Sequence, residues 1–313
     1  MLNPTPICAI LKASSNIGRR APPARGIAMI AETIRIPVKG LDRTYTFMHI
    51  SDAHIAVCDE TADDAERAEV NGAYGWMPKE GPFAGVPPYR AFEICLEESA
   101  AAHIDALIVT GDAEDFTTPA IARYLEEKLL SQPYRTIYTV GNHEAVVFEN
   151  GTRGFRPHDG YPLYRTLTEG QPDFRVYDYG AFEMISLDNA TRTVTAEQFA
   201  ALEHEFAKQK PVILMMHVPV KTPAIAPSIY KVWGPSFMLG AEEDPDESGA
   251  AFVRMITDEH SPVIAIFCGH IHFAHTGEFA PGRYQCAAAP AFTGFMRKIE
   301  VYPAVGDEQE EVL

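Results

Sequence analysis

Five short clusters in the sequence carry side chains that bind metal ions or move protons. They are Asp52-Ala53-His54, Gly111-Asp112-Ala113-Glu114-Asp115, Gly141-Asn142-His143-Glu144, a lone His217, and Gly269-His270-Ile271-His272. Residues i and i+2 of an extended segment point the same way, so His270 and His272 can reach one cluster. Mixed imidazole, carboxylate and amide donors suit borderline ions such as Mn²⁺, Fe or Zn²⁺ better than Ca²⁺ or a purely structural zinc. A chemistry that needs two such ions is attack on a phosphoester, whose oxygens repel anionic nucleophiles. Two dications lower the pKa of a bound water, hold the resulting hydroxide in line with phosphorus, and take up charge on the equatorial oxygens.

The elements that must position these clusters are legible as alternating runs. Strands are expected at 33–38 and 45–51, read as an opening hairpin around Lys39-Gly40-Leu41-Asp42, and at 105–110 and 135–140. Helical spacing over 91–103 and 118–130 separates the later ones. The second half repeats the habit. A strand pair (174–179 and 182–187) leads to a helix over 195–209, with Thr193 or Thr195 as its cap. A buried strand over 211–216, a helix over 250–259 and a strand over 263–267 follow, then short strands near 273–279, 283–287 and 295–301. Each cluster therefore terminates an apolar strand. In α/β sheets ligands collect beyond the carboxyl ends of strands, so five such tips imply one shared site.

Composition bounds the partners. The 313 residues hold 26 Lys+Arg against 43 Asp+Glu, a net charge of −17, which argues against a nucleic-acid polymer or an anionic membrane as partner. The acids concentrate in 59–69, 242–247 and 307–311, away from the clusters. Residues 1–28 carry Lys12, Arg19, Arg20 and Arg25 and no acid, and read as a flexible basic leader before a single domain over 29–313. The start is a poor signal peptide and no apolar run approaches the ~20 residues of a membrane-spanning helix. The expected location is the cytoplasm. Five cysteines without a CxxC pair read as buried small hydrophobes in a reducing compartment.

Taken together and in this order, the clusters resemble the calcineurin-like metallophosphoesterases, whose pattern is DxH, GDxxD, GNH[DE], a lone H and GHxH. The resemblance spans about residues 45–290. It implies an α/β fold, a four-layer αββα sandwich of two mixed β-sheets flanked by helices, with a dinuclear metal site at the carboxyl ends of the strands. It also implies one ion held by Asp52, His54 and His272, and the other by Asn142, His217 and His270, with Asp112 bridging them. His143 would be the catalytic residue, sitting over the substrate rather than on an ion. Asp115 and Glu144 would orient imidazoles from behind. His49, His103, His158, His204 and His260 are read as structural, and His275 as an ordinary strand position.

The expected activity is metal-dependent phosphoester hydrolysis, with Mn²⁺ favoured and Fe or Zn²⁺ next. Val140 before Gly141, and the intact GHxH, set the chain apart from protein serine/threonine phosphatases. Asp115 stands where purple acid phosphatases carry a tyrosine. A small-molecule phosphodiester is the expected substrate, with a phosphomonoester and a non-catalytic scaffold as the alternatives. Two long segments, 57–90 and 221–249, read as inserted loops near the site mouth. Their Tyr74, Trp76, Phe83 and Tyr89, and Tyr230, Trp233 and Phe237, either shape a pocket for the leaving group or pack the loops down. Arg153, Arg156 and Arg165 either hold a phosphate oxygen or pair with nearby carboxylates.

Overall fold

The structure, a computed structural model, describes residues 10–11 and 30–304. Two mixed sheets stack face to face. The five-stranded sheet runs in the order Ile30–Val38, Phe295–Pro303, Tyr45–Ile50, Ala106–Thr110, Arg135–Thr139. The six-stranded sheet runs His275–Ala280, Arg283–Ala287, Val263–Cys268, Val212–Met215, Glu183–Leu187, Phe174–Asp178. Ala106–Thr110 is buried along its whole length because helices cover one face and the second sheet the other. Ile108 points into the inter-sheet core with Phe47, Ile137 and Ile299, meeting Ile213, Met215 and Phe267. Leu107 and Val109 point the opposite way, onto Phe92, Leu96, Ile121 and Leu125 of the helices Pro88–Ala101 and Pro119–Leu130. On the far side of the molecule Leu202, Phe252 and Ile256 cover Ile185, Leu214 and Ile266. These three apolar layers hold the αββα sandwich together.

Local signals set the helix starts. Thr195, not Thr193, caps Ala196–Phe206, in a capping box with Gln198. Thr118 caps Pro119–Leu130, with proline at the first turn, where its missing N–H costs nothing. One expectation fails: Ile30–Val38 and Tyr45–Ile50 do not form a hairpin. Phe295–Pro303 lies between them, parallel to the first (Ile299↔Ile34) and antiparallel to the second (Arg297↔His49). A nine-residue strand from the far end of the chain outcompetes the adjacent one, and no turn residue announces it.

The leader over 1–28 lies outside the described residues except Ile10–Leu11, which pair in parallel with Cys58–Asp59. Cys95, Cys268 and Cys286 are free and buried, but Cys58 is disulfide-bonded, against the expectation for all five. Cys8 lies outside the described residues. The segment 57–90 is not irregular: it contains the helix Asp64–Ala73 and the turn Tyr74–Trp76. No helix among the described residues is long and apolar enough to cross a membrane.

Candidate metal centre

Parallel pairing brings the strand tips to one edge. Tyr45–Ile50, Ala106–Thr110 and Arg135–Thr139 all run the same way, as do Glu183–Leu187, Val212–Met215 and Val263–Cys268 in the other sheet. The tips are then stitched together. Asp52 N–H donates to Gly111 (3.1 Å), His54 N–H to Asp112 (3.1 Å) and Gly269 N–H to His217 (2.9 Å). Across the sheets, His270 N–H donates to the Asp52 carboxylate (3.0 and 3.1 Å).

Three groups of donor atoms result. Asp52, His54 and His272 form one, Asp112, His217 and His270 another, and His54 also lies with Asp115 and His143. Within them His54 Nε2 and His272 Nε2 lie 3.0 Å apart, and His217 Nε2 and His270 Nδ1 lie 3.1 Å apart. His54 Nδ1–H donates to Asp115 Oδ1 (3.2 Å) and His217 Nδ1–H to the Thr110 carbonyl (2.7 Å). Both rings therefore turn Nε2 to the centre. Donors about 2.1 Å from one ion and at right angles to it lie about 3.0 Å apart. The side-chain oxygen of Asn142 is buried without a hydrogen-bond partner among the described residues. That unpartnered oxygen and the paired imidazoles fit a site for two divalent ions.

Charge agrees. Burial opposes ionisation of Asp52, but His272 beside it holds the carboxyl down to about 2. Burial likewise works against the Asp112 anion, yet His217 and His143 hold it well below the usual range. Burial would depress His217, and Asp112 overrides it, pushing the ring up to about 10. Asp112 Oδ1 accepts the His143 N–H (2.8 Å) while Oδ2 lies 3.1 Å from His217 Nε2. The carboxylate thus sits with the His217–His270 group, and its field reaches His54. His143 differs from the others in exposure: its side chain is 22 % open, against 2 % for Asp112. Its Nδ1–H donates to the Asp115 carbonyl (2.7 Å), which leaves Nε2 without that bond, 3.9 Å from Asp112 Oδ2.

The backbone at this edge is strained. Asp52, His54, Asp112, His270 and His272 all have positive φ, between 44° and 70°, a region that costs a non-glycine residue about 1–3 kcal/mol. Close approach is enforced by glycine. A Cβ on Gly269 would sit 1.8 Å from Ser51 Oγ and 2.3 Å from Asp52 Oδ2, and one on Gly141 would sit 2.3 Å from Asp112 Oδ1. Gly269→Ala should therefore destabilise the ion-free protein by about 1–3 kcal/mol, as overpacking does, and weaken ion binding by displacing Asp52. Urea unfolding and a Mn²⁺ titration measure the two effects. Unchanged values in both would mean that the tip relaxes freely.

Of the two outer carboxylates, Asp115 faces an imidazole and Glu144 does not. Glu144 accepts from the backbone N–H groups of Gly141 (2.7 Å), Asp112 (3.0 Å) and Ala113 (3.1 Å), and from the Tyr138 hydroxyl (2.6 Å). It binds two tips together through their main chains, because its side chain folds back under its own turn. Burial, then the Asp112 charge, pushes its pKa up. Two further residues, Asn189 and Phe292, escaped the sequence reading, which names Trp76 only as an aromatic of the first long segment. Asn189 Oδ1 accepts from His217 N–H (3.1 Å) and Val218 N–H (2.9 Å), and its amide donates to the Val218 carbonyl (2.7 Å). It follows a sixth strand, Glu183–Leu187, whose polar tip Asp188-Asn189 bore the same signature as the other five. Trp76 stacks on His54 at 4.7 Å between centroids, and Phe292 packs edge-on to His272 at 5.9 Å. From the second long segment, Phe237 stacks on His270 (4.9 Å) and Trp233 meets His272 edge-on (5.6 Å). Arg153 pairs with Asp115 (2.8 Å) and Arg156 with Glu149 (2.8 Å), so both are bound to carboxylates.

Comparison with known proteins agrees with this geometry. The family model of calcineurin-like phosphoesterases matches residues 45–274. Among solved structures, a dimetal phosphatase from Danio rerio superposes with a TM-score of 0.51 at 13 % identity, covering 80 % of this chain and 89 % of that one. A purple acid phosphatase from yellow lupin (Lupinus luteus) seeds gives 0.49 at 13 % identity, over 87 % of this chain and 48 % of that one. The phosphopantetheinyl hydrolase of Mycobacterium tuberculosis gives 0.46 at 14 % identity, over 85 % and 97 %. No curated protein is a significant match to the sequence. The family match covers most of the chain, including every tip from Asp52 to His272, and the chain belongs to the calcineurin-like phosphoesterases.

Proposed function

We propose that the protein is a hydrolase of small-molecule phosphodiesters that works with two divalent metal ions, Mn²⁺ first and Fe or Zn²⁺ next. Asp52, His54 and His272 hold one ion, Asn142, His217 and His270 the other, and Asp112 is shared. The observation that carries this reading is the unpartnered, buried Asn142 oxygen among paired imidazoles and two buried carboxylates, with the more open His143 beside them. When bound, the ions supply Lewis acidity at the phosphoryl oxygens and an activated water. The chain's own residues do the rest. The Asp115 carbonyl holds the His143 Nδ1–H, so the imidazolium carries its second proton at Nε2, gives it to a leaving oxygen and becomes the neutral Nδ1–H ring. Asn189 and Glu144 hold the tips in register.

A diester carries one negative charge and two organic arms. The rim fits that balance: Trp76, Trp233, Phe237 and Phe292 offer rings around the centre, while Arg153 is already committed to Asp115 and Glu69. A small molecule is the proposed substrate rather than a nucleic-acid polymer, in keeping with the net charge of −17. The proposed compartment is the cytoplasm. The deciding assay adds Mn²⁺ to chelated protein and compares bis-p-nitrophenyl phosphate with p-nitrophenyl phosphate. Hydrolysis of the diester alone is expected. Hydrolysis of the monoester alone would make the protein a phosphomonoesterase. Inertness to both, with no ion retained, would make it a scaffold.

A further inference from the structure

Asp115 is a hub on which three separate segments converge. Its Oδ1 accepts from His54 Nδ1–H (3.2 Å) and from the Trp76 indole N–H (2.5 Å). Its Oδ2 accepts from Arg153 Nη2 (2.8 Å), and its backbone carbonyl from both Arg153 Nη1 (3.1 Å) and His143 Nδ1–H (2.7 Å). The carboxylate is buried, its side chain 3 % exposed. Arg153 is itself held: its Nε donates to Glu69, and its guanidinium lies 4.6 Å over the Phe116 ring. Glu69 belongs to the helix Asp64–Ala73, and Trp76 ends the turn that follows it. The segment 57–90 thus delivers Trp76 to the Asp115 carboxylate and Glu69 to Arg153, and the hairpin Val146–Glu149/Thr152–Phe155 delivers Arg153 itself.

A carboxylate with a single donor can rotate, and an imidazole tied to it rotates too. Here Trp76 and Arg153 occupy the remaining directions around Asp115, so the carboxylate has one orientation. The Trp76 ring, nearly parallel to His54 (25°) and edge-on to His272 at 5.1 Å, closes the same imidazole pair from the side. Groups behind a metal-bound histidine set its tautomer and ring plane, and their removal costs about 10–100-fold in metal affinity.

We propose that Trp76 and Arg153 are positioning residues of the metal centre, which lock Asp115 and through it fix the rings of His54 and His143. The inserted segment is then part of the ion-binding apparatus. This rests on the reading of His54 as a ligand, so the wild-type protein is tested first. Mn²⁺ affinity of the full chain is measured by chelator competition, alongside the thermal midpoint of the ion-free protein. Trp76→Phe keeps the ring and removes the N–H; Arg153→Met keeps the stem and removes the charge; Arg153→Lys restores it.

The expected result is a loss of affinity of about 10–100-fold in Trp76→Phe and Arg153→Met, partial recovery in Arg153→Lys, and ion-free midpoints near wild type. Imidazole ¹⁵N shifts should also show His54 and His143 populating a second tautomer in the two damaging variants, which simple loss of packing would not produce. In Trp76→Phe the remaining tryptophan of the chain's two, Trp233, touches His272 and reports binding by fluorescence. Wild-type affinity and shifts in both variants would overturn the proposal and leave the phosphoesterase reading standing. A wild-type protein that binds no Mn²⁺, Fe or Zn²⁺ would overturn both. Should Arg153→Met fail to fold, the conservative Trp76→Phe decides by the same two readouts.

Discussion

Replacing His143 with alanine should cut turnover by roughly 10²–10⁴-fold and leave the metal content close to that of wild type. The size is what loss of a positioned proton donor costs. The sparing of the metals follows from the geometry. His143 belongs to neither the Asp52–His54–His272 nor the Asp112–His217–His270 group; it shares a third with His54 and Asp115, where both of those side chains are already tied to each other, and its one strong side-chain bond runs to a backbone carbonyl. Removing the ring takes nothing from either set, and the His143 N–H that Asp112 accepts is main chain and survives. Single-turnover hydrolysis of a phosphodiester, with metal analysis of the same sample, tests both halves. Unchanged turnover would remove His143 from the chemistry. Loss of metal would make it a ligand instead.

Asp112→Asn should do the reverse, with bound metal lost and activity falling as a consequence. The amide is nearly isosteric and its oxygen can still accept from His143 N–H, so the fold should persist. The negative charge is gone, however, in a buried site where it faces His217 at 3.1 Å. Loss of affinity should exceed the ~100-fold upper range for groups behind the ligands, because a ligand and its charge are removed together. Elemental analysis after dialysis reads the loss, and the thermal midpoint of the ion-free protein controls for folding. Full metal content in Asp112→Asn would deny Asp112 its place between the ions. Wild-type protein should bind ions more weakly as pH falls, since imidazoles must be neutral and carboxylates ionised to ligate.

The two variants probe different depths of information in the chain. Asp52-Ala53-His54 is a short-range fact: a tightly turned tip of three residues presents both ends to one group, and the apolar strand before it says where the tip lies, whereas His270 and His272, expected on an extended segment to share one cluster, have left-handed backbone and serve different groups. Helix starts at Thr118 and Thr195 are equally local, set by side chains that accept the first free N–H groups. Such features depend on neighbours a few residues away, and a sequence displays those neighbours.

What lay out of reach depends on partners far along the chain. Phe295–Pro303 enters between two strands that looked like a hairpin, because sheet order is decided by which long apolar strands can be buried together. Glu144 follows a histidine yet bonds three backbone N–H groups, since the fold puts the tips at Gly141 and Asp112 within its reach. Trp76 reads as one aromatic among several in a proline-rich stretch, and only the packing of Asp64–Ala73 against the rest aims its N–H at Asp115. The sequence alone determined which residues could ligate and on which strand ends they sit, because ligand type and strand polarity are local. Tertiary structure decided which residues stand behind the candidate ligands and hold them, because those contacts cross between sheets and between segments far apart in the chain, where nothing in linear spacing records them.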